Sequence, residues 1–590
     1  MPVLRGLSKL PVGLTVPAFM LLVVVFGAPV VILFFTSLNA PAFSLVNYKA
    51  FVSQPANIRV LLQTIEVSVI ASGICLLIGY PTAYLISAAS NRLRMTLIVL
   101  VIIPYLTSLL ARTYAWIVIL GDKGLINNML LDFGLISSPL PLIYNRTAVY
   151  IGMVHIMLPV MILPLVSVML GIDKSLMSAA RSMGAKPATA FWRVFFPLSL
   201  PGVRSGCLLV FVLCLGFYIT PAALGGLRDA MLSTFIAAQV SSSFNMAKVA
   251  ASAFVLLAIA IAVLSLLGLD LSGGHQQTTS RKDSIRRRLL SPAPLIHALT
   301  EKTMPFKAQQ WKRGLYVPNS SSHLWAIIGT IFVALVMFYL LFPGVVVIIM
   351  SFSSGTFLEF PPSSLSLQWY ASFFSDPSWT DAAWTSIQIG FAVAIFSTVV
   401  GTLAAYGLVR VGSRVRGAAT MVLLTPITFP VIVVGIATYL GLVNLGLIGT
   451  KIGIVLAHSI GAIGYVVVIV SATLANFDQR LEQAARSMRA GPFQTFMRVT
   501  LPLIKPGVIG GAGFAFIHSF LGGVISSPVN GLSIRTLPLK MWENMRHQID
   551  PTIAAVASLL VLLPMLWLVA IYVMWWRARL HTRSMPAEAV

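Results

Sequence analysis

Few residues in this chain have the type and setting to do chemistry. Within its long apolar runs the titratable side chains of note are Glu66, His155, His458 and His518. The hydroxyls of Tyr105, Thr107, Ser108, Tyr218 and Thr220 accompany them nearer the outer half. Polar groups in hydrocarbon are costly and mark either a solute pathway or a packing contact. Tyr105, Thr107, Ser108, Tyr218, Thr220 and His518 are the candidates for a pathway. Glu66 lies about one turn inside its run, within reach of the interface. The histidines fit two readings, a ring satisfied by a backbone carbonyl inside a helix bundle or a ring that meets a solute. No catalytic constellation recurs among these residues. Cys75, Cys207 and Cys214 lack metal-ligand spacing and read as small core residues. No Gly-x-x-x-x-Gly-Lys-Ser/Thr phosphate loop occurs anywhere. The expectation is a chain that is not an enzyme and holds no cofactor or metal of its own.

The elements that carry these residues follow from composition. Of 590 residues 58% are hydrophobic and only 9% charged, and mean hydropathy is +0.92. Soluble domains carry about a quarter charged residues, so the fold class is all-α, polytopic and membrane-embedded. A net charge of +24 would suggest nucleic acid in a soluble chain. Here the basic residues sit in short segments between apolar runs, which the positive-inside rule explains without nucleic acid. Runs long enough to cross the bilayer, about 20 residues each, fall near 14–37, 64–88, 97–117, 148–171, 204–224, 249–269, 324–350, 383–409, 418–440, 453–473, 507–527 and 553–576. Twelve transmembrane helices in two sets of six are expected, the first read as an uncleaved span, with kinks at Pro81, Pro104, Pro159, Pro343 and Pro430. Arg112 should stand at the outer end of the third. With the N-terminus inside, most of the 40 lysines and arginines fall inside, whereas 351–381 outside has none. Both termini are then cytoplasmic. The polar, basic segment 271–322, with Gly273-Gly274 and four prolines, reads as a loosely structured cytoplasmic linker between domains 1–270 and 323–590.

One polar, basic segment occurs twice. Ser178-Ala-Ala-Arg-Ser-Met-Gly-Ala-Lys-Pro187, then Phe191-Trp-Arg-Val194 and Pro197-Leu, is matched by Gln483-Ala-Ala-Arg-Ser-Met-Arg-Ala-Gly-Pro492, then Phe496-Met-Arg-Val499 and Pro502-Leu. The copies align without a gap from Ser178 to Val203 against Gln483 to Val508. Each follows the fourth span of its half, in loops 172–203 and 474–506, and each begins with a Pro-free, Gly-free stretch suited to a short surface helix. A basic segment duplicated in so apolar a chain points to a device facing water that grips another protein.

These residues resemble the EAA loop of ATP-binding-cassette importer permeases, whose pattern is Glu-Ala-Ala, three residues, Gly, nine residues, Ile-x-Leu-Pro. Ala179, Ala180, Gly184, Val194 and Pro197 fit it in the first copy, and Ala484, Ala485, Val499, Leu501 and Pro502 in the second. Ser178 and Gln483 stand in place of the family's Glu, and Arg489 in place of its Gly. The resemblance covers nearly the whole chain. Arg112-Thr-Tyr-Ala-Trp-Ile117, Pro141-Leu-Ile-Tyr-Asn145 and Tyr218-Ile-Thr-Pro-Ala-Ala-Leu-Gly-Gly226 look like the first permease subunit of spermidine/putrescine importers; Leu367-Gln-Trp-Tyr370 and Thr536-Leu-Pro538 look like its partner subunit.

The resemblance implies two fused six-helix type I importer (MetI-like) permease domains in a bacterial inner membrane, working by alternating access. It implies two ATPase subunits on the cytoplasmic side, which bind the ATP, and a periplasmic solute-binding protein. The coupling contacts would include Arg181 and Arg486 beside the matched residues, with Arg489 making the two docking surfaces unequal. A polyamine-like cargo is expected, with iron, thiamine, an opine or 2-aminoethylphosphonate as alternatives, and an ion-coupled secondary transporter as a distant one. Polyamine members often carry acidic residues on their fifth helices. Here Leu215-Gly-Phe-Tyr-Ile-Thr220 and His518-Ser-Phe-Leu-Gly-Gly-Val524 have none, which leaves cation–π contacts from Phe217 or Tyr218 or a zwitterionic or anionic solute. Leu271-Ser-Gly-Gly-His-Gln276 is close to the ATPase signature Leu-Ser-Gly-Gly-Gln, but no nucleotide-binding fold surrounds it.

Overall fold

A computed structural model of the chain describes residues 11–39, 41–242, 245–266, 321–355, 359–522, 534–547 and 551–583. Most of the expected linker, and with it Leu271–Gln276, lies outside them. The described residues form helices and one isolated antiparallel bridge, Ser353 to Leu365. Nine of these helices are long and apolar enough to cross a membrane, and two further pairs pass together but bend at a short break. The twelfth apolar run lies in the helix Thr552–Arg583.

The bent pairs correct two expected spans. The runs at 97–117 and 418–440 are not continuous helices. Asn91–Leu106 turns by 91° into the helix that begins at Leu109, and the arm ending at Thr428 turns by 100° into Val431–Asn444. The cause is local. Pro104 and Pro426 sit in the last turn of each first arm and remove a helical N–H there. Thr107 and Ser108, or Phe429 and Pro430, then take extended ψ angles before the second arm starts.

The fifth and eleventh spans also differ from expectation. They begin well before 204 and 507, running as Pro187–Gly216 and Pro492–Gly522. Pro197 and Pro502 lack an N–H and would ordinarily break a helix. Instead the helix passes them through a π turn, Phe191–Phe195 in one half and Phe496–Thr500 in the other. There the N–H of Phe196 reaches the carbonyl of Phe191, and that of Leu501 reaches Phe496. The extra residue per turn lets the chain absorb the proline without stopping. Each repeat loop is therefore rigidly continuous with a membrane span.

Each half is built around the same three-helix contact. The second (Pro55–Ala88), fourth (Arg146–Leu170) and fifth spans pack together, as do the eighth (Pro377–Leu408), tenth (Lys451–Ala475) and eleventh. Glycines set the spacing: a Cβ on Gly79 or Gly206 would lie 2.9 or 2.8 Å from the Met161 side chain. In the second half, Cβ atoms on Gly401 and Gly511 would meet Val466, the counterpart of Met161, at 2.7 and 3.4 Å. The fifth and eleventh spans present these glycines as Gly202-x-x-x-Gly206 and Gly507-x-x-x-Gly511. Lipid tails are as apolar as leucine, so close small-residue packing rather than solvent exclusion holds such helices together.

The halves interlock by exchanging their first spans. The first (Gly13–Ser37) packs on the second half, where a Cβ on Gly441 would lie 2.6 Å from Pro29. The seventh (Ser321–Met350) packs on the first half, where Tyr339 donates to the carbonyl of Ile151 at 2.7 Å.

Candidate functional site

The two repeat loops share one backbone plan. Asp173 and Asp478 cap the short helices Lys174–Ser182 and Arg480–Ser487 by accepting from the N–H of Ser175 and of Arg480, at 2.9 Å each. The hydrogen bonds from Ser175 hold the Asp173 carboxyl below the usual carboxylate range. Both helices end in a Schellman turn: Ala185 N–H reaches Ala180 O at 3.1 Å, and Ala490 N–H reaches Ala485 O at 3.0 Å. The residue closing that turn is left-handed in both, Gly184 at φ +87° and Arg489 at φ +63°. Ala180 is buried beneath its helix and Ala485 half-buried, whereas Ser178, Ala179, Arg181, Gln483, Ala484 and Arg486 are exposed. At the matching C-terminal position of each helix a methionine stands bare, Met183 and Met488, both 84% exposed. Leu176, Leu481, Trp192 and Phe493 extend the exposed apolar surface.

What lies beneath the loops differs. In the second half Glu482 is buried; Arg410 Nη2 donates to both its carboxylate oxygens, and Thr500 Oγ1 donates to Oε1. Arg486 adds a longer contact at 3.9 Å, and Arg410 lies over the Tyr406 ring, 3.4 Å from its centroid. Burial alone would raise the Glu482 carboxyl, but the hydrogen bonds from Arg410 and Thr500 and the nearby positive charges hold it below its ordinary value. In the first half Met177 and Phe195 occupy the positions of Glu482 and Thr500. Tyr84 packs edge-on between Phe191 and Phe195 there, at 5.4 and 5.1 Å. One loop is fastened by charge, the other by aromatic packing.

Between the halves, at the bend of the ninth span, lies a cavity of about 160 Å³. Leu213 of the fifth span, Val431, Gly435 and Thr438 of the bent arm, and His458, Gly461, Tyr465 and His518 line it. His458 Nδ1 and Ser519 Oγ are 2.8 Å apart, and the His518 ring lies 5.2 Å from that of Tyr465. The Tyr465 hydroxyl in turn interacts with that of Tyr105 from the first half. A Cβ on Gly461 would come within 2.7 Å of His518 Nε2, so the glycine gives the imidazole its room.

Residues 397–584 match the family described as the binding-protein-dependent transport system inner membrane component. The spermidine/putrescine transport system permease protein PotB of Haemophilus influenzae is 39% identical over 191 residues, 32% of this chain and 67% of that one. The putrescine transport system permease protein PotI of Escherichia coli is 32% identical over 231 residues, 38% of this chain and 82% of that one. The chain belongs to this family. Among solved structures, a bacterial ABC transporter involved in the import of the acidic polysaccharide alginate overlaps 45% of this chain and 99% of its own, with a TM-score of 0.33 and 16% identity. That likeness is too weak to carry an argument. Family membership makes the chain a multi-pass inner-membrane permease of a binding-protein-dependent importer, a transport protein rather than an enzyme.

Of the pathway residues the sequence nominated for this permease, only His518 lines the cavity; Tyr105 stands behind it, in contact with Tyr465. Thr220 Oγ1 pairs with Thr113 Oγ1 at 3.0 Å, and Thr107 donates to the carbonyl of Pro104 at 2.7 Å. Tyr218 stands edge-on to Trp542, 6.2 Å away, and Ser108 occupies the N-cap position of the second arm of the third span, its hydroxyl making no capping bond. Glu66 pairs with Arg146 at 3.1 Å on an exposed surface, next to Asp229. His155 meets the carbonyl of Leu340 at 3.1 Å, the packing reading of that histidine. Arg112 is buried rather than standing at an outer helix end, because the bend carries it inward. Sequence reasoning missed Glu482, Met183, Met488 and Tyr465. Glu482 had a visible signal: it precedes the Gln of the motif, with no acidic counterpart in the first copy.

Proposed function

We propose that the chain forms both permease domains, 1–270 and 323–590, of one ATP-driven importer, joined by the linker 271–322. Both termini and both repeat loops lie in the cytoplasm. The observation that carries this reading is the pair of loops with one backbone plan and a bare methionine at the same position. Six spans separate them, so they share a side of the membrane and together engage two ATPase subunits, which bind the ATP that this chain does not. Ser178, Ala179, Ala180, Arg181, Gly184, Pro197, Gln483, Ala484, Ala485, Arg486, Arg489 and Pro502 build or flank the two docking helices. Closure of the ATPases moves those helices, and the unbroken spans Pro187–Gly216 and Pro492–Gly522 carry the motion to the central cavity. The cavity alternates between the cytoplasm and a docked periplasmic binding protein, a two-state element biased by ATP.

The printed names of the relatives support a small, polyamine-like solute, and Tyr105 and His518 are the nominated residues nearest its route. Met183→Glu and Met488→Glu test the docking. Each places a carboxylate in an apolar contact without touching the buried Ala180, and each should cut ATP-driven uptake by about tenfold or more while insertion stays normal. Normal uptake and normal retention of the ATPase subunits by both variants would sink the proposal.

A further inference from the structure

The bend at Ser108 opens a helix, Leu109–Leu120, that is buried along almost its whole length. Ser108 at its N-cap, Arg112 and Trp116 recur every four residues and so share one face. Arg112 is 7% exposed. Its Nε and Nη1, Ser108 Oγ and Trp116 Nε1 have no hydrogen-bond partner among the described residues. His155 of the fourth span packs edge-on against Trp116, ring centroids 5.6 Å apart, within electrostatic reach of Arg112. Its Nε2 donates to the carbonyl of Leu340, which leaves Nδ1 unpartnered as an acceptor in the neutral ring. No carboxylate lies within ion-pair distance of Arg112 among the described residues.

This is a built but unanswered set of groups: three donors, one of them a cation, beside one acceptor. A guanidinium does not shed its charge on burial as an ammonium does, and inside a membrane it takes a counter-charge or marks a solute path. The unbonded N–H groups at the start of the helix add to the positive field. Tyr105 lies within electrostatic reach of Arg112 on one side and interacts with Tyr465, a cavity residue, on the other. Tyr105 thus links the cluster to the central cavity, whose lining includes no carboxylate among the described residues to receive a bare polycation.

We propose that Ser108, Arg112, Trp116 and His155 form a transit site for an anionic group on the transported solute, a carboxylate or a phosphonate. On the permease reading, from which this follows, the cargo is an amine that also carries an acid. The oxyanion takes the guanidinium, indole and hydroxyl donors, and a neighbouring N–H or O–H of the solute meets His155 Nδ1.

The test is equilibrium binding to the purified full chain in lipid nanodiscs. The probes are putrescine, its acid analogue 4-aminobutyrate, and 3-aminopropylphosphonate. One or both acids should bind saturably, the two arms separating carboxylate from phosphonate. Arg112→Gln should weaken that binding about tenfold or more, and Arg112→Lys less. Trp116→Phe, which removes one N–H and keeps the ring, provides an independent variant should Arg112→Gln not insert; it should weaken acid binding about threefold or more. Saturable binding of putrescine alone, no binding of either acid, or acid affinity unchanged in the variants would each overturn the site. Retention of co-expressed ATPase subunits by the same variants, measured in a parallel purification, keeps a failure here separate from a failure of the permease reading.

Discussion

Two residues decide how the repeat loops differ. Glu482 is held ionised by Arg410 and Thr500, and its removal would leave Arg410 half-buried without its partner. Glu482→Ala should loosen residues 480–500 by about 3–5 kcal/mol, read as faster amide exchange there and not at 175–195. The pH dependence follows from the depressed carboxyl. A group whose folded pKa lies below its unfolded value of about 4.3 gives its full stabilisation above that pH. The stabilisation is lost as pH falls through the folded value. Acidification toward pH 4 and below should therefore loosen the second loop more, because it loses the buried Glu482 anchor, whereas the first loses only the exposed Asp173 cap and keeps its Met177 and Phe195 packing. Equal loosening of both loops would refute the assignment. Arg489 is the opposite case, a side chain held at φ +63° where the first copy has glycine. Arg489→Gly should relieve about 1 kcal/mol of backbone strain and slow exchange at the end of helix Arg480–Ser487. The family's glycine was legible in the motif; the reason for it, a left-handed Schellman turn, was visible only in the backbone.

At the level of elements, apolar length found the spans, of which nine single helices and two bent pairs pass among the described residues, but could not locate their breaks. Hydropathy is blind to direction, so the runs at 97–117 and 418–440 read as straight helices although both turn through about a right angle. Pro104 was expected only to kink its helix, and Pro430 lies at the break itself, whereas Pro426 gave no separate signal among neighbours equally apolar. Arg112 was misplaced for the same reason. The central cavity could not be read because its walls come from the fifth, ninth, tenth and eleventh spans, brought together by contacts far apart in sequence. Gly216 shows how tight that meeting is. A Cβ there would lie 2.7 Å from the backbone nitrogen of Val431 and 3.0 Å from Pro430 Cα. Backbone atoms do not swing aside as side-chain ends do, so Gly216→Ala should force the end of the fifth span off the bend. The expected outcome is a protein that inserts and keeps its ATPase subunits but transports at about a tenth of the normal rate or less. Uptake at the normal rate would show that the bend tolerates displacement.

For the molecule as a whole, two sets of six spans suggest two domains that each fold within themselves, and the exchange of first spans changes that picture. Gly13–Ser37 contributes Leu22, Val25, Phe26 and Leu33 to a core that joins Val249, Ala253 and Leu256 of its own half to Val433, Ile436 and Ala437 of the second. Ser321–Met350 contributes Val333, Val336, Met337 and Leu340 to a core otherwise made of first-half residues. Each half thus lacks a wall that the other supplies, and the interface includes the Tyr339–Ile151 and His155–Leu340 hydrogen bonds. Those contacts hold the halves in register. Severing the chain within the linker 271–322 and producing the halves together should therefore give a pair that co-purifies and retains most ATP-driven uptake. Either half made alone should be less stable and prone to degradation, because its exchanged span loses the partners that the other half supplies. The fusion then serves to supply the two halves in equal number and raise their effective concentration, not to create the fold. Separate, individually stable halves from the cut chain would show instead that the exchanged spans pack too weakly to define the assembly.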